Sequence, residues 1–182
     1  MQKSKFLAGL VAAVTVIALV GSVRADSPKN STAEAKKTND AFERLKKMAG
    51  DWQDVAPKDE ASKGQTLFSY RVVGGGSAVI ETVFPGTDME MVSVYHKDGD
   101  KLVMTHYCCC GNQPHLQASA GSDKDSLAFE LTGGCNLNPA KDTHMHAFRV
   151  RFQDADHVHS ECDIYSKGKV SEKHGFDLVR KK

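Results

Sequence analysis

The 182-residue chain has almost no excess charge of either sign, with 24 Lys and Arg against 23 Asp and Glu. Lacking a basic block, it has no electrostatic footprint for nucleic acid or an anionic membrane as its main partner. It has no Cys-x-x-Cys pair, which excludes a thioredoxin-like redox site and a zinc ribbon, and no Cys-x-x-Cys-His for covalent haem attachment. Gly74-Gly-Gly76 follows a strand pattern but opens no helix, so a phosphate-cradling loop is unsupported. Beyond Gly50 no stretch repeats at helical spacing, which leaves no room for the crossovers of a parallel sheet.

What is present begins with Met1-Gln-Lys-Ser-Lys5, an apolar run from Phe6 to Val20, and Gly21-Ser-Val-Arg-Ala25. Basic, apolar and small-residue segments in that order are an export signal over residues 1–25, with the mature chain expected from Asp26 and a periplasmic or secreted location. The apolar run is shorter than the roughly 20 residues a spanning helix needs, so no stable membrane span is expected after cleavage. No cysteine follows the signal to carry a lipid. Export leads to an oxidising compartment where disulfides persist. The chain has five cysteines, so at least one has no partner within the chain.

Residues 26–39 are polar and read as a linker running into a short helix, in which Ala41, Leu45 and Met48 recur at helical spacing and Gly50 marks the end. From Trp52 the period changes to two, with turn chemistry about every ten residues. Ten strands are expected, near 51–57, 64–72, 77–84, 89–96, 100–108, 115–120, 126–132, 143–152, 156–165 and 169–180. Short turns between successive strands predict an all-β, antiparallel up-and-down barrel after a short N-terminal helix, as one domain over residues 40–182. A barrel of this size is either filled by side chains or holds one small ligand.

A short helix leading into Gly50-Asp51-Trp52 and a meander resembles the calycin barrels, the group of lipocalins, fatty-acid-binding proteins and nitrobindin. The resemblance implies that Trp52 closes one barrel end and that a late basic residue, Arg180, packs across it. His106-Tyr-Cys, Gly111-Asn-Gln-Pro114 and His144-Met-His146 are also similar to segments of uncharacterised exported bacterial barrel proteins, a likeness that brings no function with it.

Strand direction alternates along a meander, so every second turn lies at the same end. His106, Cys108, Asn112, Gln113, His115, Cys135, Asn136, His144 and His146 are therefore expected at one mouth, with His96, His157 and His159 at the other. Phe148, Val150 and Phe152 mark the inner face of their strand, and alternation extends that face to His144 and His146. Leu102, Met104, His106 and Cys108 share a face likewise. Glu81 is assigned to the solvated outer side by default, and Met89, Met91 and Met104 to the core.

Three readings follow. In the leading one the barrel binds a small, largely apolar ligand, His106, His144 and His146 forming the polar end of its cavity with Asn112 and Gln113 above. In the second, the same three histidines ligate a transition metal or haem, with redox or hydrolytic chemistry. In the third, the barrel is filled and the protein is structural. Cys108, Cys109 and Cys110, taken as strand residues, alternate in direction and cannot all chelate one ion, so a Cys108–Cys135 disulfide is expected instead. A thiol paired with His106 lacks a third, orienting group, and no catalytic set is assigned.

Overall fold

A computed structural model describes residues 28–57 and 60–182. The export segment at residues 1–25 lies outside them. The helix, α1, spans Pro28–Lys47, so most of the expected linker is helical. Residues 32–40 are largely exposed, and good helix formers (Ala33, Glu34, Ala35, Lys36, Lys37) carry that half without the apolar period that marks a buried face. Among the described side chains, Ala41, Phe42, Leu45 and, just past the helix, Met48 are buried, and packing of this last stretch anchors the helix.

Ten strands follow: β1 (Gly50–Asp54), β2 (Phe68–Val73), β3 (Ala78–Val83), β4 (Met91–Asp98), β5 (Lys101–Tyr107), β6 (Gln113–Ala118), β7 (Ser126–Cys135), β8 (His144–Phe152), β9 (His157–Ser166) and β10 (Lys169–Arg180). Each pairs antiparallel with the next, and β1 pairs with both β2 and β10, so the sheet closes into an up-and-down barrel with no free edge. This is the expected fold, and its architecture is consistent with a calycin-like barrel. Among the described residues no helix is long and apolar enough to cross a membrane.

The two ends differ. α1 caps the end that carries the β4–β5 and β6–β7 turns. Thr38 donates to the Asp100 carbonyl, and Arg44 donates to the carbonyls of Asp123 (2.8 Å) and Lys124 (2.5 Å). Trp52 donates to the Met48 carbonyl at 2.8 Å, while the Arg180 guanidinium lies 4.4 Å from its ring centre. The Arg180 fork also donates to the carbonyls of Lys47 (2.8 Å) and Ala49 (2.6 Å), satisfying orphan groups past the helix end. Gly50 belongs to β1 rather than to a helix terminus. Its φ is +123°, and a Cβ there would stand 3.2 Å from the Arg180 guanidinium.

Beneath the helix the barrel is filled by Val79, Leu102, Leu116, Leu127, Phe129, Val158 and Leu178, all essentially inaccessible. Tyr95 joins them, packing edge-on to Phe129 with ring centres 5.6 Å apart. The filling leaves a cavity toward the other end.

Candidate functional site

This cavity, of about 380 Å³, is within the range of small-molecule sites. Its wall is mainly apolar, with Phe68, Val83, Phe84, Met91, Met145, Phe148, Ile164 and Phe176. Phe68 meets Phe176 edge-on at 5.3 Å, and Phe84 meets Phe176 at 6.0 Å. Phe84 holds φ at +52°, an uncommon conformation for a bulky residue, where the chain turns toward Pro85. Met104 is buried in the core as expected and Met91 packs against it while lining the cavity, but Met89 stands exposed at the mouth.

Three polar side chains line the cavity from deep positions, Glu81 and Ser160 at 2% exposure and His106 at 1%. The Tyr70 hydroxyl donates to Glu81 Oε1 (2.5 Å) and the Tyr95 hydroxyl to Oε2 (2.8 Å). Burial pushes the Glu81 carboxyl above its ordinary range, while the hydroxyls of Tyr70, Ser93 and Tyr95 pull the other way. Burial first, then the Glu81 charge, raises both phenols well above their usual value, which keeps them donors. Ser93 Oγ lies 3.0 Å from His106 Nδ1. Ser93 thus sits between Glu81 and His106, and the His106 tautomer that gives its Nδ1–H to Ser93 leaves Nε2 as an acceptor. Burial lowers His106 to about 4, so the imidazole is neutral at ordinary pH.

Glu81 therefore faces inward, correcting the outer assignment. Its alternation with Val79 and Val83, both buried, is the signal that could have placed it, overridden by the general rule that a carboxylate faces water.

His144 and His146 are not in this cavity. A β-bulge separates them from the rest of β8: Met145 pairs with Ile164 and Ala147 with Asp163, leaving His146 as the extra residue. The bulge shifts the alternation by one. Met145, Phe148, Cys162 and Ile164 line the cavity, whereas His144 pairs with Tyr165 and shares its outward face. There His146 stacks on Tyr165 with ring centres 3.7 Å apart. His144 Nδ1 donates to the Asp142 carbonyl (2.8 Å), and its Nε2 lies 3.2 Å from His146 Nδ1. This is a side-chain ladder on the barrel wall, and His106, His144 and His146 do not converge on one ion or ligand. Burial, and secondarily His144, lowers His146 below its usual value.

Asn112 and Gln113 staple loops together and do not line the cavity. Asn112 donates to the Thr143 carbonyl at 2.8 Å, and Gln113 accepts from the Asn136 amide at 3.0 Å. His157 and His159 lie at the far end, where they meet Asp154 and Asp177 at 3.0 and 2.7 Å.

The five cysteines are all free, which corrects the expected Cys108–Cys135 bridge. β7 continues farther than expected, so Cys135 is a strand residue paired with Gln113, its exposed Sγ 3.8 Å from His115 Nε2. β5 ends at Tyr107, and the three adjacent cysteines occupy the following turn. Burial pushes Cys108 up to about 12, against the backbone N–H of Cys110, and Cys162 up to about 11. Neither is a thiolate poised for nucleophilic attack. No protein-family model matches the chain, and no curated protein matches it.

Proposed function

We propose that the protein is an exported, calycin-like binding protein that takes one small, largely apolar ligand into the cavity of the barrel. The observation that carries this reading is an apolar cavity of about 380 Å³ ending on His106 and Glu81. The neutral His106 accepts through Nε2, so the preferred ligand carries a hydroxyl or another hydrogen-bond donor at its inner end. The apolar wall supplies binding energy by burial, and the polar floor fixes orientation. The order of residues 1–25 supports export.

Titration with an environment-sensitive apolar fluorophore, followed by displacement with alcohols and their parent hydrocarbons, tests the proposal. One probe is expected per chain, with alcohols displacing it better than hydrocarbons. Ile164→Trp, which fills the cavity, should weaken probe binding at least about tenfold, the scale of one to two buried methylenes or more. His106→Phe should remove the preference for alcohols, worth about 1 kcal/mol, while His144→Ala and His146→Ala leave it intact. Probe binding indifferent to Ile164→Trp would place the probe outside the barrel and sink the reading. Intact mass of protein recovered outside the cytoplasm checks the expected start at Asp26.

A further inference from the structure

Cys108, Cys109 and Cys110 were expected to alternate in direction, as strand residues do, but the backbone does otherwise. Gly111 N–H donates to the Cys108 carbonyl at 3.0 Å and Cys108 N–H to the Asn112 carbonyl at 3.1 Å, closing a tight turn with Cys109 and Cys110 at its centre. Gly111 completes it with φ at +81°. The three Sγ atoms consequently lie within 4.8 Å of one another. Among the described residues this is the one group of three or more His, Cys, Asp or Glu side chains close enough to hold an ion. The Cys110 N–H also points at Cys108 Sγ, 3.5 Å away, which holds the turn closed on that sulfur.

We propose that these three cysteines form a trigonal thiolate site for a single monovalent copper ion at the mouth of the cavity. The donor set selects the ion. Three soft sulfurs with no carboxylate or imidazole in the group suit Cu(I), which three thiolates satisfy, whereas structural Zn(II) takes four ligands. Cys109 and Cys110 are exposed and Cys108 is half-buried, so an ion can be taken from and passed to solution. Binding releases the thiol protons and leaves copper and sulfur in their original oxidation states. All three cysteines line the cavity, so the site rims the opening through which a ligand passes. It does not depend on what the cavity binds.

The test uses the full chain, reduced, freed of reductant under anaerobic conditions and confirmed to have five reactive thiols. Cu(I) is titrated against a chromophoric Cu(I) chelator, and X-ray absorption gives the nearest neighbours of the bound ion. One copper per chain surrounded by three sulfurs is expected. Cys109→Ser and Cys110→Ser, at exposed positions that spare the fold, should each weaken copper binding at least about tenfold, since even losing a residue that supports a ligand costs that much. Cys135→Ser and Cys162→Ser should leave binding unchanged. The proposal is overturned by two sulfurs or nitrogen and oxygen neighbours, by equal losses from Cys135→Ser, or by Zn(II) held against an equimolar Cu(I) challenge. Because the fluorophore titration uses copper-free protein, the apolar site and the copper site can fail separately.

Discussion

His106 shows how burial sets the chemistry of a single residue. In the unfolded chain its imidazole takes a proton near 6.5, but in the folded protein it stays neutral until about 4. The folded state thus binds fewer protons between these values, and acid favours unfolding. Its contribution is absent above about pH 6.5 and grows to a penalty on the order of 3 kcal/mol by about pH 4. Glu81 acts with the opposite slope, because its raised carboxyl keeps a proton that the unfolded chain releases, and that advantage is lost as pH rises. Denaturant unfolding of the protein and of His106→Gln across pH 4 to 7 isolates the histidine. The difference between the two curves should be flat above pH 6.5 and swing in favour of the variant as pH falls. A constant difference down to pH 4 would mean that His106 is solvated.

At the scale of elements, small departures from regular strand geometry decide which side chains meet. The turn after β5 gathers three cysteines because Gly111 adopts a left-handed conformation, and a Cβ there would meet nothing within 4 Å. Substitution should therefore cost backbone energy alone. Gly111→Ala is expected to lose about 1 kcal/mol and Gly111→Asn less, because Asn tolerates this region. Equal stability of all three proteins in urea would show that the turn relaxes. The bulge at His146 had no comparable signature in the sequence. Phe148, Val150 and Phe152 face inward as alternation predicts, but extending that period to His144 and His146 crosses an irregularity that alternation cannot reveal. The cysteine turn is hidden for a related reason: alternation carries the strand one residue too far, and turn geometry, not spacing, brings the sulfurs together. His106 lies before any such interruption, and its inward position was legible.

For the whole molecule, the meander was legible because each strand boundary carries turn residues and each strand contributes one face to the interior. The helix was legible only where it is buried. How far side chains fill the barrel was not, since that depends on the fit of residues distant in sequence, such as Tyr95 against Phe129. The closed end rests on Arg180, which joins the last strand to the helix terminus and to Asp156, its Nε 3.1 Å from that carboxylate. Arg180→Met should cost about 2 kcal/mol, combining lost bonds to the helix carbonyls with the stack on Trp52. Arg180→Lys should recover less than half of that, because an ammonium has neither the fork nor the plane. Thermal unfolding measures both, and full recovery by lysine would reduce the contribution to charge alone.

Among the described residues, α1, Trp52 and Arg180 pack across one end of the barrel, so a ligand held as proposed would come and go at the cysteine-rimmed end. An incoming molecule would then be unable to push a resident one out ahead of it, and exchange would be sequential: departure, an unoccupied interval, then arrival. The release rate would be a property of the occupied protein alone, unchanged however much competitor is present. Anything narrowing the cysteine-rimmed doorway would slow uptake and release together, altering the rate of exchange without altering the equilibrium.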